Sequence, residues 1–246
     1  MLELKNPKIS IPIVLFAGIL WSFGPYVVRN IDEAHTVPWQ YLFGRGLVIF
    51  IILNVFLYFE EGVNFYKNYY KIGLSGIIGG TGLAAAMIAF IWSITTTSAA
   101  ITLLCLAAMP FITALLGFLF LNEKISLGVW ISIFVAALGI IIMAFGNENK
   151  GSIIGLIFGL IAAIGFSIFS VSLRWRKETP KFTTVAIAGL ICAFFSSIIL
   201  ISNDLNFLSS SKNQALFATH GVLVCLGLIL YSIGSKNIPA AELTLL

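Results

Sequence analysis

Charge is what this sequence has least of. Lys, Arg, Asp and Glu together make 10% of its 246 residues, where soluble domains average about a quarter. So small a polar allowance cannot cover a water-facing surface, which excludes an ordinary soluble domain. Histidine is nearly absent as well, with only His35 and His220. Neither stands in a motif, and no nucleophile, base and acid are gathered as a membrane hydrolase or transferase would need. The three cysteines, Cys105, Cys192 and Cys225, fall in apolar runs without metal-site spacing, so they read as buried free thiols. Strand-like alternation is missing too. In lipid that leaves the helix as the structure able to satisfy the backbone. Lys5 and Lys8 precede the first apolar run without a small-residue cleavage pattern after it, so that run is read as a retained helix and not as a signal peptide.

What the chain has is apolar length. Runs near 11–29, 37–59, 71–93, 98–121, 126–146, 152–173, 182–202 and 215–235 are each long enough to cross a hydrocarbon core of about 30 Å as a helix. A ninth begins at Pro239. The fold class is therefore an all-α polytopic membrane protein, with the lipid bilayer as its first partner. If the amino terminus is cytoplasmic, that side receives Lys5, Lys8, Lys67, Lys71, Lys124, Arg174, Arg176, Lys177, Lys181 and Lys236, and the other only Arg29, Lys150 and Lys212. Basic residues in short loops stay in the cytoplasm, so this asymmetry predicts the orientation. The net charge of +4 then reflects topology and gives no reason to expect nucleic acid.

Sliding the chain against itself by 141 residues sets Gly18 on Gly159, Gly24 on Gly165, Phe90 on Tyr231, and Ala99 and Ala100 on Ala240 and Ala241. The offset spans five helices. Five is odd, so the second copy enters the membrane from the opposite side and the repeat is inverted. The expected units are residues 9–146, a first five-helix repeat, and 151–246, a second one. A complete second copy would run about forty residues past Leu246, so most of helix nine and all of helix ten are expected to be missing.

The stretch "SAAITLLCLAAMPFITALLGFLFLNEKISLGVWISIFVAALGIIIMAFG", Ser98 to Gly146, opens a helix on small residues, places Pro110 mid-helix, closes on Glu123 and follows with a helix carrying a late Gly139. "GILWSFGPYVVR", the arginine of "YLFGRGLVIF" and the closing "IPAAELTLL" accompany it. Together these resemble the EamA-type branch of the drug/metabolite transporter superfamily. The resemblance implies a bacterial-type cytoplasmic-membrane carrier without ATP coupling or cofactor. Its members are usually exporters of amino acids or other small metabolites, working by alternating access.

Arg45 is the basic residue set deepest in a span, roughly 12 Å along its helix. A charge there faces a cavity or a partner. It is read either as counter-charge to an anionic substrate group or as a structural arginine bonded to helix-end carbonyls. Pro110 removes a backbone donor and should kink the fourth helix, freeing the Leu106 carbonyl as a pocket group or a pivot, unless packing alone retains it. Trp21, Ser22, Pro25, Tyr26 and Arg29 share one helical face. Their repeat mates include Phe166, Ser167 and Ser170, so the two sets would line an amphipathic pocket, or else anchor and pack. Glu242 and His220 are the candidates for a proton-coupling group. Glu123, beside Lys124, reads as a loop salt-bridge partner, and Trp92 as part of an interfacial belt.

"GLSGIIGGTGLAAA" and the Gly155/Gly159 pair read as close helix contacts. The "GGTG" lacks the lysine and preceding strand of a phosphate loop. Transport of a small molecule is the expected function, with no catalytic or metal residues. The alternative is a shortened, non-transporting subunit that needs a partner. Homodimerisation is left open.

Overall fold

The computed structural model describes residues 7–123, 127–146, 153–176 and 178–235. The described residues are helical nearly throughout. In chain order the helices are α1 (Pro7–Ser22), α2 (Gly24–Arg29), α3 (Pro38–Glu61), α4 (Lys67–Lys71), α5 (Gly73–Thr96), α6 (Ala99–Leu106), α7 (Met109–Leu121), α8 (Leu127–Gly146), α9 (Ile153–Trp175), α10 (Lys181–Ser202) and α11 (Ser211–Gly234), with a 3₁₀ turn over Gly62–Tyr66. Among the described residues seven stretches are long and apolar enough to cross a membrane: Ile9–Arg29, Pro38–Lys71, Gly73–Thr96, Ala99–Leu121, Ile153–Trp175, Lys181–Ser202 and Ser211–Gly234. The 20 residues of α8 occupy the fifth expected span. The ninth expected span, with Glu242, lies outside the described residues.

Local chemistry sets the boundaries. Ser98 and Ser210 cap α6 and α11, their hydroxyls accepting from the N–H groups of Ile101 and Asn213, both at 3.2 Å. Asn122 ends α7 in the left-handed conformation, and Gly62 stops α3 at a φ of 63° that glycine tolerates.

Two of the apolar runs are broken. The first splits at Phe23, where Pro25 enters the first turn of α2 and offers no N–H to the Trp21 carbonyl. Nothing in the helical pattern of that run anticipated the break. The fourth run splits at Ala107 and Ala108, just ahead of Pro110, and the Ala108 N–H turns back to the Cys105 carbonyl at 3.1 Å. The expected kink is thus a full interruption, placed before the proline because its ring clashes with the preceding turn.

Small residues bring the long helices together. α5 lies along α9, and a Cβ added to Gly165 would sit 2.5 Å from the Gly82 carbonyl oxygen. α3 lies along α10 in the same way, where a Cβ added to Gly46 or to Gly189 would sit under 3 Å from the other's carbonyl oxygen. α11 packs on α1, where Gly227 receives the Trp21 ring, and also on α3. The buried core runs through Leu42, Ile49, Leu53, Val185, Ala188 and Cys192. Outward faces carry exposed Phe16, Phe134, Ile142 and Phe194, apolar surface that matches a lipid surround.

Contacts fix the two ends of the bundle. Ser75 and Thr179 hydroxyls meet at 2.5 Å, and Lys181 donates to the Ser235 hydroxyl at 2.7 Å, so one end gathers the starts of α5 and α10 with the close of α11. At the other end Asp32 pairs with Lys212 at 2.5 Å.

Candidate functional site

Both helix breaks open onto one cavity of about 580 Å³, within the range of small-molecule sites. Its walls come from α1, α3, α5, α9 and α11, from Pro25 of α2, and from the Leu106–Pro110 break between α6 and α7. The Trp21 and Leu106 carbonyls are the two whose helical donors would have been Pro25 and Pro110. Each proline therefore leaves a backbone acceptor at the cavity edge without its usual partner position.

One wall is aromatic. Trp21 meets Phe166 edge-on at 5.4 Å and Tyr231 at 5.5 Å, and Phe166 and Tyr231 stand 5.2 Å apart. Such edge and tilted contacts hold the rings in fixed orientation. The Tyr231 hydroxyl is paired with Ser170 at 2.6 Å, and the Trp21 indole N–H reaches the Val224 carbonyl at 3.5 Å.

The other wall is basic. Arg45 is 2% exposed, and its Nη2 donates to the Met87 carbonyl at 3.0 Å. Its guanidinium carbon lies 5.2 Å from the Tyr41 ring centre, one helical turn back on α3, within cation–π range. The buried Nε has no hydrogen-bond partner. Among the described residues no ion pair involves Arg45. Its neighbour on α10 is the Cys192 thiol, whose sulfur accepts a hydrogen bond from the guanidinium and which itself donates to the Leu42 carbonyl at 3.7 Å. His220 of α11 lines the same wall, its Nδ1 hydrogen-bonded to the Tyr41 hydroxyl.

Of the residues expected in a pocket, Trp21, Ser22, Arg45, Pro110 and Phe166 line the cavity, and so does His220, expected as a proton-coupling candidate. Tyr26, 68% exposed, does not. The break at Phe23 ends the helical face it shared with Trp21 and Ser22. Ser167 bonds the Ala163 carbonyl at 2.8 Å and the Met109 carbonyl at 3.2 Å, tying α9 to the α6/α7 break. Ser170 stands behind the wall, holding Tyr231. Trp92 packs on Trp39 at 5.4 Å and Phe158 at 6.0 Å. Glu123 pairs with Arg174 of α9 at 2.8 Å. The expected loop partner, Lys124, is outside the described residues.

Sequence reasoning passed over Met87, Phe90 and Tyr231 as lining residues, and Tyr41 as the partner of His220. Phe90 and Tyr231 were within reach, because the repeat sets one on the other. Among the described residues no three His, Cys, Asp or Glu side chains gather to hold a metal. The arrangement is equipped to hold a small amphipathic molecule, with donors on one side and rings on the other.

Comparisons with known proteins agree with that equipment. The chain is 24% identical over 243 residues to the uncharacterized transporter YojE of Bacillus subtilis, covering 93% of this chain and 77% of that protein. It is 23% identical over 207 residues to an uncharacterized transporter of Helicobacter pylori, covering 82% and 67%. A protein of known crystal structure shares the fold with a TM-score of 0.70 at 17% identity, over 96% of this chain and 82% of its own. The model of the EamA-like transporter family matches residues 8–145. With membrane-length helices around a small-molecule cavity and a family match over more than half its length, the chain belongs to the EamA-like transporter family.

Proposed function

We propose that this chain is a secondary transporter of small amphipathic metabolites, working by alternating access as an inverted repeat of five-helix units. The supporting observation is the make-up of the cavity wall. α1 and α9 are the helices paired by the 141-residue offset, as are α5 and α11, and all four line the cavity. The packing also agrees with such symmetry. α1 on α11 and α5 on α9 are one contact seen twice if the two copies are exchanged. A site between the halves of an inverted repeat is where rocking would expose a solute to each side in turn.

The described basic residues at one end, Lys67, Lys71, Arg174, Arg176 and Lys181, favour placing that end in the cytoplasm of a bacterial-type cell, with export as the working direction. His220 takes precedence over Glu242 as a proton-coupling candidate, because it stands in the cavity wall.

The reading is tested by counterflow. Purified 246-residue chain in proteoliposomes, preloaded with one metabolite from an amino-acid and organic-acid panel, should accumulate the labelled form of that metabolite without ATP. Flux equal to protein-free vesicles for every solute, from monodisperse protein, would contradict it.

A further inference from the structure

We propose that the cavity takes a singly charged organic anion with a compact, ring-sized apolar body, its carboxylate set against Arg45 and its body against Trp21, Phe166 and Tyr231. The inference rests on the transport reading above and narrows it to a substrate class.

The charge balance of the wall points that way. A guanidinium withdrawn from water is costly unless it is paired, and paired charges in proteins gain back that cost through hydrogen bonds. Arg45 is almost fully buried, and its hydrogen bonds go to the Met87 carbonyl and the Cys192 sulfur. Its Nε is without a partner, and among the described residues no Asp or Glu lines the cavity. The fork of N–H donors that grips a carboxylate with two parallel bonds therefore has no carboxylate partner among the described residues. His220, the remaining titratable group of that wall, adds either no charge or a positive one. A cationic solute would meet repulsion from Arg45 and no compensating acid among the described residues. A neutral solute would leave Arg45 unpaired.

A zwitterion would satisfy Arg45 with its carboxylate. Among the described lining residues its ammonium would then find only neutral acceptors, the Ser22 hydroxyl, which already donates to the Ile19 carbonyl at 2.7 Å, and the proline-freed carbonyls. Arg45, the one permanent cation among the described lining residues, matches one anionic group, so a dianion would bring a second charge that no permanent cation there meets. The three-ring wall, with centroids 5.2 to 5.5 Å apart, presents faces and edges suited to a planar or branched body.

Matched probes separate these charge classes on one body. The full chain in phosphatidylcholine nanodiscs at neutral pH is titrated calorimetrically with 3-phenylpropionate, 3-phenylpropionamide, phenylalanine, phenethylamine and decanoate. Binding of 3-phenylpropionate should be at least about tenfold tighter than that of the amide, the zwitterion or the amine, a difference of about 1.4 kcal/mol. Arg45→Lys should weaken the preference and Arg45→Gln should erase it. The wild-type series decides the matter even if neither variant folds. Tighter binding of phenylalanine or phenethylamine overturns the anion assignment, and saturation by decanoate alone overturns the compact body and assigns the anion to the bilayer. If phenylalanine wins and counterflows, the transport reading stands and only the substrate class falls. If 3-phenylpropionate binds but no solute of any class counterflows, the transport reading is what fails.

Discussion

Arg45 concentrates the conflict between stability and function in one side chain. Burial of an unpaired guanidinium opposes folding, and an apolar side chain of similar length would fill the same space. Arg45→Met is expected to leave the fold intact and to raise stability by about 1 kcal/mol or more, while solute binding falls. Thermal unfolding and counterflow measured on the same preparation check both halves, and a fall in stability would show that the Met87 and Tyr41 contacts outweigh the desolvation cost. Tyr231 is the opposite case, a cavity residue whose polar atom is satisfied. Tyr231→Phe leaves the buried Ser170 hydroxyl without its 2.6 Å partner and should cost about 1–3 kcal/mol, read as a lowered melting midpoint. Such pairings explain the limits of sequence reasoning at this scale. Depth along a helix singled out Arg45, and one helical face singled out Trp21 and Ser22. Nothing in the sequence told which of Ser22, Ser167 and Ser170 would face the cavity and which would bond a neighbouring helix.

Elements were the most legible scale, because each apolar run is set by the length of helix that crosses a bilayer and needs no partner to be recognised. The breaks were harder. Pro110 announced one of them, whereas the split at Phe23 depends on Pro25 standing near the end of a run, where a proline is equally at home in the first turn of a new helix. Pro110→Ala returns the missing N–H and removes the clash with the preceding turn, so α6 and α7 should join. The gain is bounded by the cost of about 3 kcal/mol that proline imposes inside a helix. The expected signature is a higher melting midpoint with slower counterflow, since the Leu106 carbonyl at the cavity edge is consumed. Equal flux in wild type and variant would assign Pro110 to packing. Small residues also act at this scale. Gly165→Val would force α5 and α9 apart at the Gly82 carbonyl and should destabilise by about 1–3 kcal/mol or more, measured as a loss of monodisperse protein on heating.

At the scale of the whole molecule, two ion pairs join the proposed halves at opposite ends of the bundle. Glu123 of the first unit meets Arg174 of the second at one end, and Asp32 meets Lys212 at the other. The Asp32–Lys212 pair is more than half exposed, and exposed pairs contribute only about 0–1 kcal/mol. A contact so weak suits an end that the proposed alternation would have to open and close. A handful of aligned residues pointed to the proposed halves, but nothing in the sequence pointed to these pairs, because loop and helix-end contacts across 51 and 180 residues of chain leave no periodic trace. The measurement that tests the alternating-access account most directly is counterflow in proteoliposomes of the Asp32→Cys, Lys212→Cys variant, bridged by a short reducible bis-methanethiosulfonate reagent. The three native thiols are buried and should not compete for it. The account predicts that bridging stops solute exchange and that reduction restores it. Undiminished exchange through fully bridged protein would contradict it.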